Sequence, residues 1–314
     1  MKPSAAKANR LDLARWLVDP ANPLTSRVTV NHFWKHLFGR GLVATVDNFG
    51  SGGEAPSHPE LLDWLAREFI ERGWSRKEIV RLIVGSATYR QASQVRKELI
   101  GRDPLNVLLA RQSRFRLEAE VVRDAALAAS GLLERTIGGP GIRPPQPDFV
   151  ASISRNAEWK VSVGPELYRR GMYIVFRRAT PYPMLLTFDA PDSTVACTRR
   201  ERSNSPLQAL TLLNDPVFFE CAQALGSELA VGAERSFDAR LTEAFQRCLG
   251  RNPHRAERER LGKFFDDRCA RLAMDPSAAR AMIGRDSSAN ATEQAAWISI
   301  ARVLMNLDEF ITRE

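Results

Sequence analysis

Apolar residues recur along this chain mostly at helical spacing. After Thr25 and Ser26, the residues Val30, Phe33, Trp34, Leu37 and Phe38 fall at i, i+3, i+4, i+7 and i+8. That is the stripe of a core-facing helix, ended by Gly39 and Gly41. A shorter stripe, Leu11, Leu13, Ala14, Leu17 and Val18, follows Asn9 and stops at Asp19-Pro20. His58-Pro59-Glu60 opens a helix with Leu61, Leu62, Leu65 and Phe69 facing inward and Gly73 closing it. Ser75 to Glu78 reads as a capping box before Ile79, Leu82, Ile83 and Tyr89. Asp103-Pro104 has the look of a further cap, and Leu117, Val121, Ala125, Ala129 and Leu132 stripe the next helical stretch. Farther on, Asn204-Ser205-Pro206 caps a helix through Leu213, and four more helices are expected near 216–230, 238–249, 255–272 and 292–307.

The pattern lapses in three places. Asp47 to Pro59 is a Gly-rich loop without periodicity. Residues 137–147, I-G-G-P-G-I-R-P-P-Q-P, form a Gly/Pro-rich break, and Thr180 to Ser205 is mostly loop. Between these last two, Trp159 to Val163 and Tyr168 to Arg177 carry the aromatic and β-branched residues of a short hairpin. The expected fold is therefore mainly α, multi-helical, with a small β hairpin or insertion near 150–180. It divides into an N-terminal helical unit (1–136), a Gly/Pro-rich loop with the small β region (137–205) and a C-terminal helical unit (206–314), or else forms one continuous domain.

Composition narrows the functional classes. The chain has 314 residues, 44% of them hydrophobic and 26% charged, with a net charge of +8. Such a basic surface suits an anionic partner such as an acidic polysaccharide. The basic residues are scattered along the helices, without any nucleic-acid-binding signature, so nucleic acid is not an expected partner. Cys197, Cys221, Cys248 and Cys269 lie too far apart for a metal knuckle, a redox pair or a haem-attachment motif. Cys221 and Cys248 sit among apolar helical positions and are expected as buried free thiols. No signal-peptide pattern is visible at the N-terminus, and no apolar run has the length of a membrane span. The chain as written reads as cytosolic, and as periplasmic or cell-surface if it belongs to a longer exported protein.

Three long motifs resemble a known family: N-H-F-W-K-H-L-F-G-R-G-L-V-A-T-V-D-N-F-G, then H-P-E-L-L-D-W-L-A with G-W-S-R-K-E-I-V-R-L-I, and L-L-T-F-D-A-P-D-S-T-V-A-C-T-R-R-E-R-S-N-S-P-L-Q-A-L-T-L-L-N-D-P. The family is the domain of unknown function found at the C-terminal end of large cytochrome c-containing proteins of Planctomycetes and Verrucomicrobia. The likeness runs from Leu11 almost to the end of the chain. It implies an exported architecture, with a cytochrome c domain and a second uncharacterised domain upstream, and it implies no activity. Haem is then expected only on a partner or an upstream domain, and a cytochrome c-type domain or redox partner is the implied partner. Where relatives carry Thr-Asn-Thr-Pro-Leu-Gln, this chain has Ser203-Asn204-Ser205-Pro206-Leu207-Gln208. Serine hydroxyls can serve the same cap.

Candidate chemistry is limited to a few constellations. His32 and His36, spaced i, i+4 on the polar side of their helix, could share a divalent metal with Asp47 and His58 from the following loop. Phe33 stands where a zinc protease carries its general-base Glu, which removes that mechanism. The competing reading makes the histidines solvated or bonded to the loop. Asp47-Asn48-Phe49-Gly50 with Gly52-Gly53 could form an anion nest or an oxygen-rich calcium site, or a loop that needs glycine for positive φ. Arg199, Arg200 and Arg202 with Asp189 and Asp192 read as an anion or substrate clamp, or as an internal ion-pair network tying this loop to the N-terminal helices. No nucleophile elbow, phosphate-binding loop or dinucleotide fingerprint is present, so no catalytic or cofactor-binding residue is assigned. Two functional readings follow. The first is a structural or interaction module of c-type cytochrome proteins, docking a redox partner or a surface polyanion. The second is a metal-dependent hydrolase or redox enzyme acting on polysaccharide-derived material through His32, His36, Asp47 and His58.

Overall fold

The structure, a computed structural model, describes residues 9–153, 159–231, 235–284 and 290–313. The protein is mainly helical, as the periodicity predicts. Its contacts divide it into two compact units, Met1–Phe115 and Arg116–Arg313. The boundaries expected at 136 and 205 do not coincide with this division, and the Gly/Pro-rich stretch 137–147 lies inside the second unit.

The first unit carries α1 (Arg10–Leu17), α2 (Thr25–Phe38), α3 (Pro59–Glu71) and α4 (Arg76–Val84), then turns and one 3-10 segment up to Phe115. Val30, Trp34 and Phe38 of α2 meet Leu62, Leu65 and Phe69 of α3 and Ile79 and Ile83 of α4 in one apolar cluster. Trp34 and Phe38 stack at 4.2 Å between ring centroids, and Phe33 meets Phe69 edge-on at 5.8 Å. Gly39 ends α2 with φ of 82°, a conformation that favours glycine. The α1 stripe behaves differently. Asn9 caps the helix through a capping box with Asp12, yet none of its residues is buried. Asp103-Pro104 does not open a helix either. The Asp103 carboxylate accepts from the backbone N–H groups of Val107 and Leu108, both at 2.8 Å, and so ties a non-helical turn.

The second unit holds α5 (Ala119–Ala129), α6 (Asp148–Ile153), α7 (Pro183–Thr187), α8 (Pro206–Asn214), α9 (Pro216–Ala230), α10 (Phe237–Leu249), α11 (Arg255–Met274), α12 (Pro276–Ile283), α13 (Ala291–Met305) and α14 (Asp308–Ile311). Helix α13 is its centre. Ala295, Trp297, Ile298, Ile300, Ala301 and Leu304 are all fully buried, so the helix is enclosed on every side rather than along one stripe. It crosses α9 so closely that a Cβ on Gly226 would sit 2.5 Å from the Ile298 backbone nitrogen.

The hairpin expected near 150–180 is not found among the described residues there; residues 154–158 lie outside them. The chain runs instead through 3-10 turns at Gly164–Tyr168 and Gly171–Tyr173. Its β pairing reduces to isolated bridges, Glu134 with Arg169 and Ile142 with Ile174. The two-stranded sheet lies elsewhere, between β1 (Phe115–Arg116) and β2 (Thr312–Arg313). The β-branched residues near 174 therefore pair with the Gly/Pro-rich stretch rather than with each other.

Candidate functional site

The stretch after α2 is organised by an asparagine. Asn31 is buried, donates through Nδ2 to the Val43 carbonyl at 3.0 Å and accepts from the Val43 N–H at 2.9 Å. It thereby pairs with the loop backbone as a neighbouring strand would. Gly41 makes this approach feasible, because a Cβ there would lie 2.5 Å from the Val43 carbonyl oxygen and 2.8 Å from Asn31 Oδ1. Thr45 Oγ1 then donates to the Asn48 carbonyl and accepts from the Glu54 N–H, both at 2.9 Å. A Cβ on Gly53 would come within 1.9 Å of the Asn48 carbonyl oxygen. Gly50, Gly52 and Gly53 do not have positive φ. At Gly53 the glycine serves close packing rather than a left-handed turn, and the Glu54 N–H that an anion nest would need is turned into the loop's own bonding.

The four candidate metal ligands sit around this loop but are not gathered. His32 is half-buried, His36 exposed, Asp47 exposed and His58 half-buried. Burial first, and then the nearby charges of Lys35 and His36, lower the His32 pKa and favour its neutral ring. His58 Nδ1 lies 2.9 Å from Ser57 Oγ at the entrance to α3. Among the described residues, no group of three or more His, Cys, Asp or Glu side chains comes together as a metal site requires.

The second constellation is built around Arg116, a buried residue of the second unit. Its Nε donates to the Ser203 carbonyl at 2.9 Å and its two terminal nitrogens to the carbonyls of Leu117 at 2.6 Å and Phe188 at 3.2 Å. The same guanidinium pairs with Asp189. Asp189 holds φ of 61°, rare for a residue with a side chain, and also accepts from the Ser203 N–H and hydroxyl at 2.8 Å. Gln208 Nε2 completes the knot with bonds to Ser203 Oγ and the Thr187 carbonyl, each at 3.0 Å. The Phe188-Asp189-Ala190 segment and the Ser203-to-Gln208 segment, the two ends of one loop, are thus two halves of one network. Ser205 stands at the N-cap of α8 but gives no side-chain cap bond, which corrects the expected cap chemistry. The motif's working hydroxyl is on Ser203, and it donates to a carboxylate.

The remaining clamp residues are placed apart. Arg200 forms a bidentate pair with Glu120 at 2.6 and 3.1 Å and approaches Glu118 at 3.3 Å. These partners stand at the start of α5, within the second unit. Arg199 pairs with Glu201 at 3.2 Å near the surface. Arg202 is half-buried; burial pulls its pKa down while Glu118 opposes. Asp192 is used in a turn, accepting from the Thr194 N–H at 3.0 Å and its hydroxyl at 2.8 Å. The geometry is that of an internal network.

A third cluster was not legible as a site. Arg123 on α5 is fully buried and donates to the carbonyls of Arg169 at 2.6 Å and Leu167 at 2.7 Å. Among the described residues no carboxylate bonds it directly, and burial lowers its pKa against the opposing influence of Tyr182, Asp124, Cys221 and Asp215. Tyr182 is 2% exposed, and burial, then Asp215, raises its pKa. Asp215 lies between α8 and α9 and caps α9 by accepting from Val217 N–H at 3.0 Å. Burial raises its pKa, opposed by that bond and by Arg123. The sequence held one signal for this cluster, Asn214-Asp215-Pro216, which reads as an ordinary helix cap. The described cysteines are free thiols, with Cys221 buried and Cys197 exposed, and burial pushes Cys221 and Cys248 up to about 12.

These features define a mainly helical protein in two units whose most elaborate polar groups are networks of buried arginines. One family model, PSD1, described as a protein of unknown function (DUF1553), matches residues 9–265, and the chain belongs to that family. No curated protein and no solved structure matches the chain.

Proposed function

We propose that the protein is an interaction module that docks a c-type cytochrome domain, and that α1 is its principal contact. The observation that carries this reading is the state of α1. Its Leu11, Leu13, Trp16, Leu17 and Val18 are exposed by 56, 50, 40, 41 and 54%. A capped helix that presents five large apolar side chains to solvent has the form of a binding element, since such patches mark contact sites on folded proteins. The polar constellations support the same reading, because Asp189, Asp192, Arg199 and Arg200 are each engaged by neighbours in their own unit. The identity of the partner rests on the resemblance to the C-terminal domains of cytochrome c-containing proteins, and the net charge of +8 suits an acidic face on it.

The test is a titration of the full chain with a cytochrome c domain taken from a longer protein of that kind. It is run beside the double variant Leu13→Asp/Leu17→Asp. These positions are exposed, so the variant keeps its stability within about 0.5 kcal/mol. Saturable binding to the wild type, weakened at least tenfold in the variant and only modestly by salt, is the expected result. Absence of binding overturns the proposal. Binding that collapses with salt and ignores the variant assigns the surface to a polyanion such as an acidic polysaccharide.

A further inference from the structure

Three sizeable cavities differ in the polar atoms they present. One of 670 Å³ is lined by Glu220, Gln223, Ser227 and Gln294. Its polar groups are engaged: Tyr168 donates to Glu220 at 2.6 Å, Gln223 to the Met282 carbonyl at 2.8 Å, and Gln294 to Ser227 at 2.8 Å. A second, of 320 Å³ beside Trp34 and Trp64 in the first unit, has mainly apolar walls. The third, of 440 Å³ in the second unit, is walled by Pro145, Pro183, Leu207 and Leu210 and is reached by Gln146, Tyr182 and Asp215. Among the described residues lining the three, Gln146 Oε1 and Tyr182 OH are the buried polar atoms without a hydrogen-bond partner, and both belong to this third cavity.

The hydrogen-bonding character of that cavity leans toward acceptors. Thr187 spends its hydroxyl proton on the Pro183 carbonyl at 3.0 Å, and Thr211 spends its own on the Leu207 carbonyl at 2.9 Å. Asn214 gives its amide to the Leu210 carbonyl at 3.0 Å. Oxygen lone pairs remain to face the space, together with Gln146 Oε1 and the Asp215 carboxyl group. A pocket of apolar walls with a few convergent polar atoms is the usual form of a small-ligand site, and here each of those oxygens can accept, the Tyr182 hydroxyl being able to donate as well.

We propose that this cavity binds a small organic cation, a compound with an apolar aromatic or aliphatic body and a protonated amine held by Asp215 and Gln146. The prolines and leucines take the body. Three N–H donors on the ammonium match the surplus of acceptors, and the carboxylate supplies the partner that a desolvated cation requires. The raised pKa of Asp215, caused chiefly by burial, supports this: an arriving cation offsets the cost of keeping that carboxylate charged.

The probes are 2-phenylethylamine and its anionic counterpart 3-phenylpropionate. They are titrated by calorimetry and ligand-observed NMR into the full chain and into Asp215→Asn and Tyr182→Phe. Asn at 215 can still accept from the Val217 N–H, so the α9 cap survives and the variant folds. Its thermal unfolding is recorded as a control. Saturable binding of the amine, weakened tenfold or more by Asp215→Asn and several-fold by Tyr182→Phe, with no binding of the propionate, is expected. The inference is overturned by no amine binding, by equal amine binding to wild type and Asp215→Asn, or by binding of both probes alike. Because α1 takes no part in this assay, failure here leaves the docking reading standing on its own test.

Discussion

Arginine is the residue that defines this protein internally. Arg116, Arg123 and Arg240 are buried, and each engages its guanidinium differently. Arg240 pairs with Glu293 at 2.7 Å and lies 5.0 Å from the Trp297 ring centroid. Arg123 uses only backbone carbonyls, while Arg116 joins three carbonyls and one carboxylate. Replacing Arg116 by Ala leaves Asp189 and those carbonyls without their donor, so a loss of about 3 kcal/mol is expected, at the low end for a broken buried pair because Asp189 retains some solvent. Burial alone would raise the Asp189 pKa; the Ser203 N–H and hydroxyl and the Arg116 charge outweigh it, and the net shift is downward. A depressed carboxylate pKa contributes stability above the unfolded value of about 3.9 that is lost as pH falls through the folded value. Urea unfolding should therefore show a wide gap between wild type and Arg116→Ala at pH 7 that narrows on acidification toward pH 3. A gap that is constant with pH would contradict the pairing.

At the scale of elements, the legible part of the fold is the part dictated by local sequence. The stripe from Val30 to Phe38, the Gly39 stop and the proline at the start of α3 appear where their spacing places them, because the hydrogen bonds, stripe and stop signals of a helix are all local in sequence. The unread parts depend on distant partners. Residues near 174 have strand-like side chains, but their pairing is set by Ile142, which no local pattern reveals. The apolar stripe of α1 is read correctly as a helix, but period alone gives a face and not what covers it, and here nothing in the helix is buried. Arg123 looks like a surface residue until the carbonyls at 167 and 169 are brought over it. Gly226 carries the clearest packing prediction. Gly to Ala within a helix ordinarily stabilises by up to about 1 kcal/mol. Here the new methyl meets the α13 backbone at Ile298, and Gly226→Ala should destabilise by at least about 2 kcal/mol in thermal or urea unfolding. A neutral or stabilising result would show that α9 and α13 do not cross this closely.

For the whole molecule, the groups that hold the chain together differ from those it offers outward. The candidate site was legible as a set of residues but not as an arrangement. The acidic and basic residues of the 189–202 loop were visible in sequence, whereas their closure onto Arg116 and Glu120 depends on contacts across more than 70 positions. His32, His36, Asp47 and His58 stand around one loop without forming a ligand group among the described residues. Exposed apolar side chains occur at several places in the chain, and those of α1 share one capped helix, the element proposed above to wait for a partner. Hydrogen exchange of the α1 amides, measured in the free chain and with a saturating cytochrome c domain, tests that proposal most directly. An eight-residue helix that buries no side chain should exchange far faster than α13 in the free chain, because short helices owe their stability to packing. The partner should slow exchange across Arg10–Leu17 at least tenfold and leave α13 unchanged. Protection of α1 equal to that of α13 in the free chain, or no change on binding, would contradict it.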